Sequence, residues 1–289
     1  MINKPEISVI IVNWKVRALL EKCLDSIIAN RAGINVEIIV VDNDSRDGTS
    51  EMVMVQFPKV KMIALTHNSG FARANNLAIQ QARGKYLFIL NPDTEVLPNF
   101  FEKSKQYLDH HPEVSIMGPK ILNPDKTLQL SVRRFPNLLS QALIMLKLRN
   151  VLVDNKLLSN YLLFNFDYTK EQDVEQIMGA AMLIRSEVLD KIGLFDERFF
   201  VWFEEIDLCK RAHEAGFKIR YFPDAEIIHH GGSSFNKAKI FHKQLIFNNS
   251  LLRYFFKHKP IWQWLVILLI VPINLFLTLL YVIFLYNKE

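Results

Sequence analysis

The chain has 289 residues, half of them hydrophobic and 22% charged, enough for one large α/β domain or two small ones and not the composition of a disordered tail. The net charge of +5 is uneven: residues 235–289 hold seven Lys/Arg against one Glu, while residues 1–234 hold 28 basic against 29 acidic side chains. The pI near 9 is thus a property of the tail; the main body lacks the clustered Lys/Arg that a nucleic-acid partner requires, and basic charge beside an apolar run points to an anionic membrane surface.

Residues 1–6 are polar and lead straight into a strand, which predicts no secretion signal and a cytoplasmic main domain. Residues 8–12 (SVIIV) form a short β-branched run suited to a strand buried on both faces. Apolar positions Leu19, Leu20, Cys23, Leu24, Ile27 and Ile28 then recur at helical spacing. A second strand is predicted at 36–41, a polar turn at 42–49, a helix at 50–56 and a third strand at 60–65. A Gly-containing loop, a helix at 72–82 and a strand at 86–90 follow. Strands alternating with helices imply a mostly parallel sheet flanked by helices, with ligands bound beyond the carboxyl ends of the strands. That rule selects Asn13-Trp14, Asp42 to Asp44, Asn68 to Gly70 and Asn91 to Asp93.

Residues 138–164 are apolar but interrupted by Lys147, Arg149, Asp154 and Lys156, too broken to span a bilayer. A strand is expected at 176–184, a helix at 186–192, and a helix at 202–215 that opens on Glu204-Glu205 and stops before Gly216. Short β segments at 219–222 and 226–228 precede His229-His230-Gly231-Gly232. Residues 235–260 read as a basic amphipathic helix lying in a membrane interface. Residues 261–286 contain no charge over 26 positions, enough for one transmembrane helix, with Trp262, Trp264, Tyr281 and Tyr286 at its ends and Lys257-His258-Lys259 on the cytoplasmic flank. Pro272 leaves a kink or a re-entrant hairpin open. Cys23 and Cys209 have neither a CxxC partner nor metal-ligand spacing and read as reduced, packed side chains.

No Gly-rich dinucleotide fingerprint, GK[ST] phosphate loop or GxSxG elbow is present. Seven motifs instead follow one another in order: SVIIVNW, VVDNDSRDGT, NSGFARANN, LNPDTEV, GAAMLIR, GLFDERFFVWFEEIDLCKRAHEAGF and HHGGSS. Over residues 7–235 this series resembles the family 2 glycosyltransferases, and within them the bacterial rhamnosyltransferase-like members. The resemblance implies a GT-A type α/β catalytic domain over residues 1–234, nucleotide-sugar-binding in 1–125 and acceptor-side in 126–234. It also implies an inverting transfer onto a lipid-linked or cell-surface polysaccharide acceptor.

By that resemblance, Asn13 and Trp14 cup the nucleobase, and Asp42 accepts hydrogen bonds from base or ribose with Asp44 beside it. Asn68, Gly70 and Asn75 line the donor loop. Asn91 and Asp93 stand at the family's Asp-x-Asp element, which holds Mg²⁺ or Mn²⁺ against the donor diphosphate; asparagine in the first place leaves Asp93 as the full carboxylate ligand. His229 matches a late histidine that completes the metal site or contacts the diphosphate. Glu205 matches the acceptor-side base, one methylene longer than the usual aspartate, with Asp207 as the alternative. The donor implied is dTDP-rhamnose; the residues alone leave open a UDP-linked hexose or galactofuranose, a nucleotidyltransferase, and a catalytically silent membrane scaffold. The location implied is the cell inner membrane, with the catalytic domain cytoplasmic.

Overall fold

The computed structural model describes residues 4–31, 33–148, 155–231 and 240–286. Arg149, Asp154, residues 232–234 of the HHGGSS motif and residues 235–239 of the expected amphipathic helix lie outside that set. The chain runs β1 (Ile7–Asn13), α1 (Arg17–Asn30), β2 (Val36–Asp42), α2 (Thr49–Gln56), β3 (Lys61–Ala64), α3 (Phe71–Ile79), β4 (Tyr86–Leu90), β5 (Thr94–Val96) and α4 (Phe100–His110). It continues through β6 (Val114–Leu122), β7 (Val132–Arg133), α5 (Leu138–Met145), α6 (Lys156–Leu162), β8 (Gln172–Asp173), β9 (Gln176–Ile177), β10 (Ala181–Arg185) and α7 (Ser186–Ile192). Last come α8 (Glu204–Glu214), β11 (Lys218–His229), α9 (Ile240–His258) and α10 (Ile261–Tyr286).

The main sheet has the order β3-β2-β1-β4-β10-β6-β11-β5. Its first four strands are parallel, as the alternating pattern predicts, because each is returned by a crossover helix. The other half is mixed: β10 runs antiparallel to β4 and β6, and β11 runs parallel to β6 but antiparallel to β5. The register then gathers the polar strand ends at one edge. Asn13 pairs with Asp42, Leu90 pairs with Ala181, and His229 pairs with Thr94. Asn91 follows β4 and its backbone N–H donates to the Ala180 carbonyl at 2.9 Å.

β1, β4 and β10 are buried along their whole length, which is why they read as unbroken apolar runs. The sheet is covered on both faces, by a core including Leu24, Phe88, Phe100 and Phe101 on one side and by one including Ala74, Ile89, Leu189 and Leu208 on the other. A further cluster joins Phe203 and Ile206 to Leu251, Tyr254 and Phe255 of α9 and Ile267 of α10. Burying each such side chain contributes about 1.5–3 kcal/mol, so α9 is fastened to the catalytic body and not a detached appendage.

Candidate active site

A single cleft of about 610 Å³ opens at the carboxyl edge of the sheet. Trp14, Asn68, Gly70, Asn91, Asp93, Glu205 and His229 all line it. Residues from both halves of the chain therefore share one cavity, and His242 and Ile246 of α9 extend its wall beyond residue 234.

Trp14, half-buried just after β1, lines this cleft. Asn13, by contrast, is fully buried behind it and donates to Ser45 and Thr49 hydroxyls, both at 3.1 Å. Asp42 accepts from Ser50 Oγ at 3.0 Å. Asn13 Oδ1 and Asp42 Oδ1 are buried without a hydrogen-bond partner among the described residues. Asp44 sits at positive φ and pairs with Arg46 at 2.7 Å, away from the cleft lining. Asn75 is also buried away from it, its amide donating to the Phe71 carbonyl at 2.9 Å.

The loop at residues 68–70 is shaped by Asn43, which the sequence marked only within the 42–44 cluster and gave no role of its own. Its Nδ2 donates to Asn68 Oδ1 at 2.9 Å and to the Gly70 carbonyl at 3.2 Å, and its Oδ1 accepts from the Ser69 N–H at 2.8 Å. Gly70 has φ +86°, and a Cβ there would lie 2.5 Å from the Phe200 carbonyl oxygen. No L-side chain fits without moving that backbone. Gly70→Ala is expected to lower the apparent Tm by about 2–10 °C and to weaken donor binding, as read by thermal melts and KM for the nucleotide sugar.

At the centre of the edge, His229 Nε2 lies 3.3 Å from Asp93 Oδ1 and 3.5 Å from Asn91 Nδ2. Its Nδ1 lies 2.7 Å from Gln129 Oε1, while Gln129 Nε2 donates to Asn123 Oδ1 at 2.8 Å. A carbonyl oxygen can only accept, so the network assigns the neutral ring's proton to Nδ1 and leaves the Nε2 lone pair facing Asp93. Either a second ring proton, which makes an ion pair with Asp93, or a cation joins the two groups at that distance. One carboxylate and one imidazole fit a divalent ion that takes its other ligands from phosphate oxygens and water. No group of three or more His, Cys, Asp or Glu able to hold a metal by themselves occurs among the described residues. His230 faces elsewhere, its Nε2 2.7 Å from Glu95 Oε1.

Glu204 and Glu205, which also line the cleft, open α8. The two residues before them, Trp202 and Phe203, both adopt left-handed φ (63° and 70°), a costly conformation for bulky side chains. This bend aims both carboxyl groups inward. Each retains one buried oxygen with no hydrogen-bond partner among the described residues. Burial, then the charge of Glu205, pushes Glu204 well above the usual carboxylate range. Burial also raises Glu205, with backbone N–H groups and Arg133 opposing it. We take Glu204 to hold the pair's proton and Glu205 to be the more readily ionised member.

Gly179 packs directly on Glu205: a Cβ there would lie 3.3 Å from Glu205 Cβ and Cγ. Gly179→Ala is expected to displace the carboxylate by a few tenths of an ångström, lowering kcat about tenfold with little change in Tm. Asp207 takes a different direction. It is fully buried away from the cleft lining and is held by Lys257 at 2.6 Å, His258 at 2.7 Å and Arg211 at 2.8 Å. Burial raises its pKa, but these partners pull it below the ordinary value. With both oxygens engaged by α8 and α9, Asp207 is a tie between helices and has no access to an acceptor hydroxyl. Arg133, Gln176 and His242 line the cleft without having been marked by the sequence. Only the repeated Arg in VRRF carried any signal there.

An α/β sheet with a nucleotide-sized cleft at its carboxyl edge and acidic groups in its lining defines a sugar-transferring enzyme of GT-A type. The chain belongs to glycosyl transferase family 2, whose family description matches residues 8–193. It is similar to the N-acetylglucosaminyl-diphospho-decaprenol L-rhamnosyltransferase of Mycobacterium tuberculosis, 27% identical over 210 residues covering 69% of this chain and 68% of that one. It is also similar to the dTDP-rhamnosyl transferase RfbF of Shigella flexneri, 22% identical over 211 residues, 72% of this chain and 64% of the other. Among solved structures, the mannosyltransferase PcManGT from Pyrobaculum calidifontis, in complex with GDP-Man and Mn²⁺, superimposes with a TM-score of 0.56 at 18% identity, covering 89% of this chain and 64% of that one.

Proposed function

We propose that this glycosyltransferase moves rhamnose from dTDP-rhamnose, with inversion at the anomeric carbon, onto a lipid-linked or cell-surface glycan at the cytoplasmic face of a membrane. The single observation behind this reading is the convergence of Asp93, His229 and Glu205 on one cavity. The names of the two relatives above support the choice of donor sugar and acceptor class.

In the proposed reaction, Trp14 stacks on the base, and the Asn43–Asn68–Gly70 loop shapes the donor wall. Mg²⁺ or Mn²⁺ held by Asp93 and His229 would neutralise the diphosphate charge. Glu205 removes the proton from the acceptor hydroxyl as its oxygen bonds to the anomeric carbon. The bond from that carbon to the diphosphate oxygen breaks on the opposite side, and dTDP departs with the electron pair. Arg133, also in the cleft lining, counters the charge of Glu205.

The test is a donor panel with purified protein, Mg²⁺ or Mn²⁺ and a polyprenyl-diphosphate-linked acceptor, reading nucleotide release. dTDP release from dTDP-rhamnose, abolished in Asp93→Ala and Glu205→Ala, is the expected result. UDP release from a UDP-sugar replaces the donor assignment, and pyrophosphate release from a nucleoside triphosphate rejects sugar transfer.

A further inference from the structure

We propose that α10 lies along the catalytic body as a monotopic platform, its outer face sunk into the cytoplasmic leaflet, and does not cross the bilayer. The inference rests on the reading of the protein as membrane-associated. α10 is one continuous helix of 26 residues through Pro272, about 39 Å long at 1.5 Å per residue. By length and hydropathy alone, Ile261–Phe284 is sufficient to cross a membrane.

Its packing gives a different geometry. Ile267, Asn274 and Thr278 are buried, and Trp264, Ile270 and Val271 are partly buried, a one-sided seam that runs well past the helix midpoint. That seam meets both α9 and α5. Asn248 Nδ2 on α9 donates to Asn274 Oδ1 at 2.9 Å, and Asn274 Nδ2 donates to the Met145 carbonyl of α5 at 2.6 Å. α9 is itself bound to the catalytic body, with Leu251, Tyr254 and Phe255 packed among Phe199, Phe203 and Ile206. Ser250 Oγ adds a hydrogen bond to the Val201 carbonyl at 2.8 Å. α10 is therefore an outer layer of the enzyme.

A perpendicular α10 fails on depth. With Trp264 at the interface, Asn274 would lie about 15 Å below it, the middle of a hydrocarbon core about 30 Å thick. Asn248 and the end of α5 would be carried to that depth, and the preceding turn of α9 deeper still. That turn carries Gln244, whose Oε1 accepts from exposed Lys147 Nζ at 2.6 Å. An ammonium group at the bilayer centre costs about 2.5–3.5 kcal/mol even on insertion scales.

An in-plane helix avoids that cost. Its exposed side chains Trp262, Leu265, Leu269, Ile273, Phe276 and Ile283 present an apolar face to the acyl chains. Because His242 and Ile246 of α9 border the cleft, this orientation keeps the active site within reach of a lipid-linked acceptor in the same leaflet.

The test fuses the full chain, behind residue 289, to green fluorescent protein and separately to alkaline phosphatase in a bacterial host. Fluorescence without phosphatase activity is expected, since both ends of α10 stay on the cytoplasmic side. As a second measurement, N287C is expected to react with a membrane-impermeant maleimide only in broken cells; both native cysteines are buried. Phosphatase activity, or labelling of N287C in intact cells, overturns the proposal while leaving membrane association standing. Recovery of the protein in the soluble fraction at low salt removes the membrane reading itself and the proposal with it.

Discussion

Glu205→Gln is expected to lower kcat about 10²–10⁴-fold while raising the apparent Tm. Both effects come from one environment. Glu205 shares the buried first turn of α8 with Glu204, and each has an oxygen without a partner among the described residues. Burial disfavours the charged form of both, so the folded protein holds protons that the unfolded chain releases at lower pH. The sign follows from linkage. Stability from these carboxyl groups is fully present below their unfolded pKa, about 4.3, and is lost as pH rises through the elevated folded values. Above that window an amide of the same shape removes a disfavoured charge. Every tenfold weakening of the acid on folding corresponds to about 1.4 kcal/mol, and each kcal/mol to about 2–4 °C of Tm in a protein of this size. The gain in Tm should therefore be clear at pH 8 and small at pH 4.

The same burial places the acid limb of the wild-type kcat/KM profile above the ordinary carboxylate range, because the proposed base works only when ionised. Glu204→Gln separates the two carboxyl groups. It should raise Tm similarly yet retain most of kcat. Equal losses of kcat in the two variants would remove Glu205 from its assigned role.

The readable and unreadable parts of the fold divide on physical lines. β1, β2 and β4 were legible because strands buried on both faces leave compact apolar runs, and their polar successors fall at one edge by topology alone. β6 and β5 were not, although β6 is a nine-residue strand. MGPK interrupts its hydrophobic run with Gly118, Pro119 and Lys120, and its partners β10 and β11 are distant in sequence. Residues 176–184 read as one strand, but the chain breaks between β9 and β10 at Gly179, where Glu205 requires the space. The site followed the same division. Trp14, Asn91, Asp93 and Glu205 stand at ends of regular elements, where the sequence singled them out, and all four line the cleft. Asn43, Gln129, Arg133 and His242 act through loops, a two-residue strand and a distant helix, whose roles depend on contacts that no local pattern encodes. Asp207 misled in the other direction: its helical position beside Glu205 is visible in sequence, whereas Lys257 and His258, which occupy it, come from fifty residues away.

Asp93→Asn is expected to reduce kcat/KM by about 10³-fold and to abolish Mn²⁺ binding measured on the protein by calorimetry or electron paramagnetic resonance. A thousandfold loss corresponds to about 4 kcal/mol, the scale on which a metal ion stabilises a departing diphosphate. Asparagine keeps the size of the side chain and its place beside His229, so the variant changes charge and little else. Gln129→Leu sharpens the interpretation from outside the cleft. Gln129 meets His229 only at Nδ1 and at the His229 carbonyl, and Asn123 holds its amide in the required orientation. Removing that acceptor frees the imidazole to move its proton to Nε2, the nitrogen that faces Asp93. Loss of such an orienting partner weakens metal affinity by about 10–100-fold, a deficit that added Mn²⁺ should largely overcome. Asp93→Asn should show no such rescue. If Gln129→Leu leaves Mn²⁺ affinity unchanged, His229 is not a ligand and Asp93 acts without it; if Asp93→Asn retains both affinity and rate, the ion is held elsewhere and the assignment at this edge of the sheet is wrong.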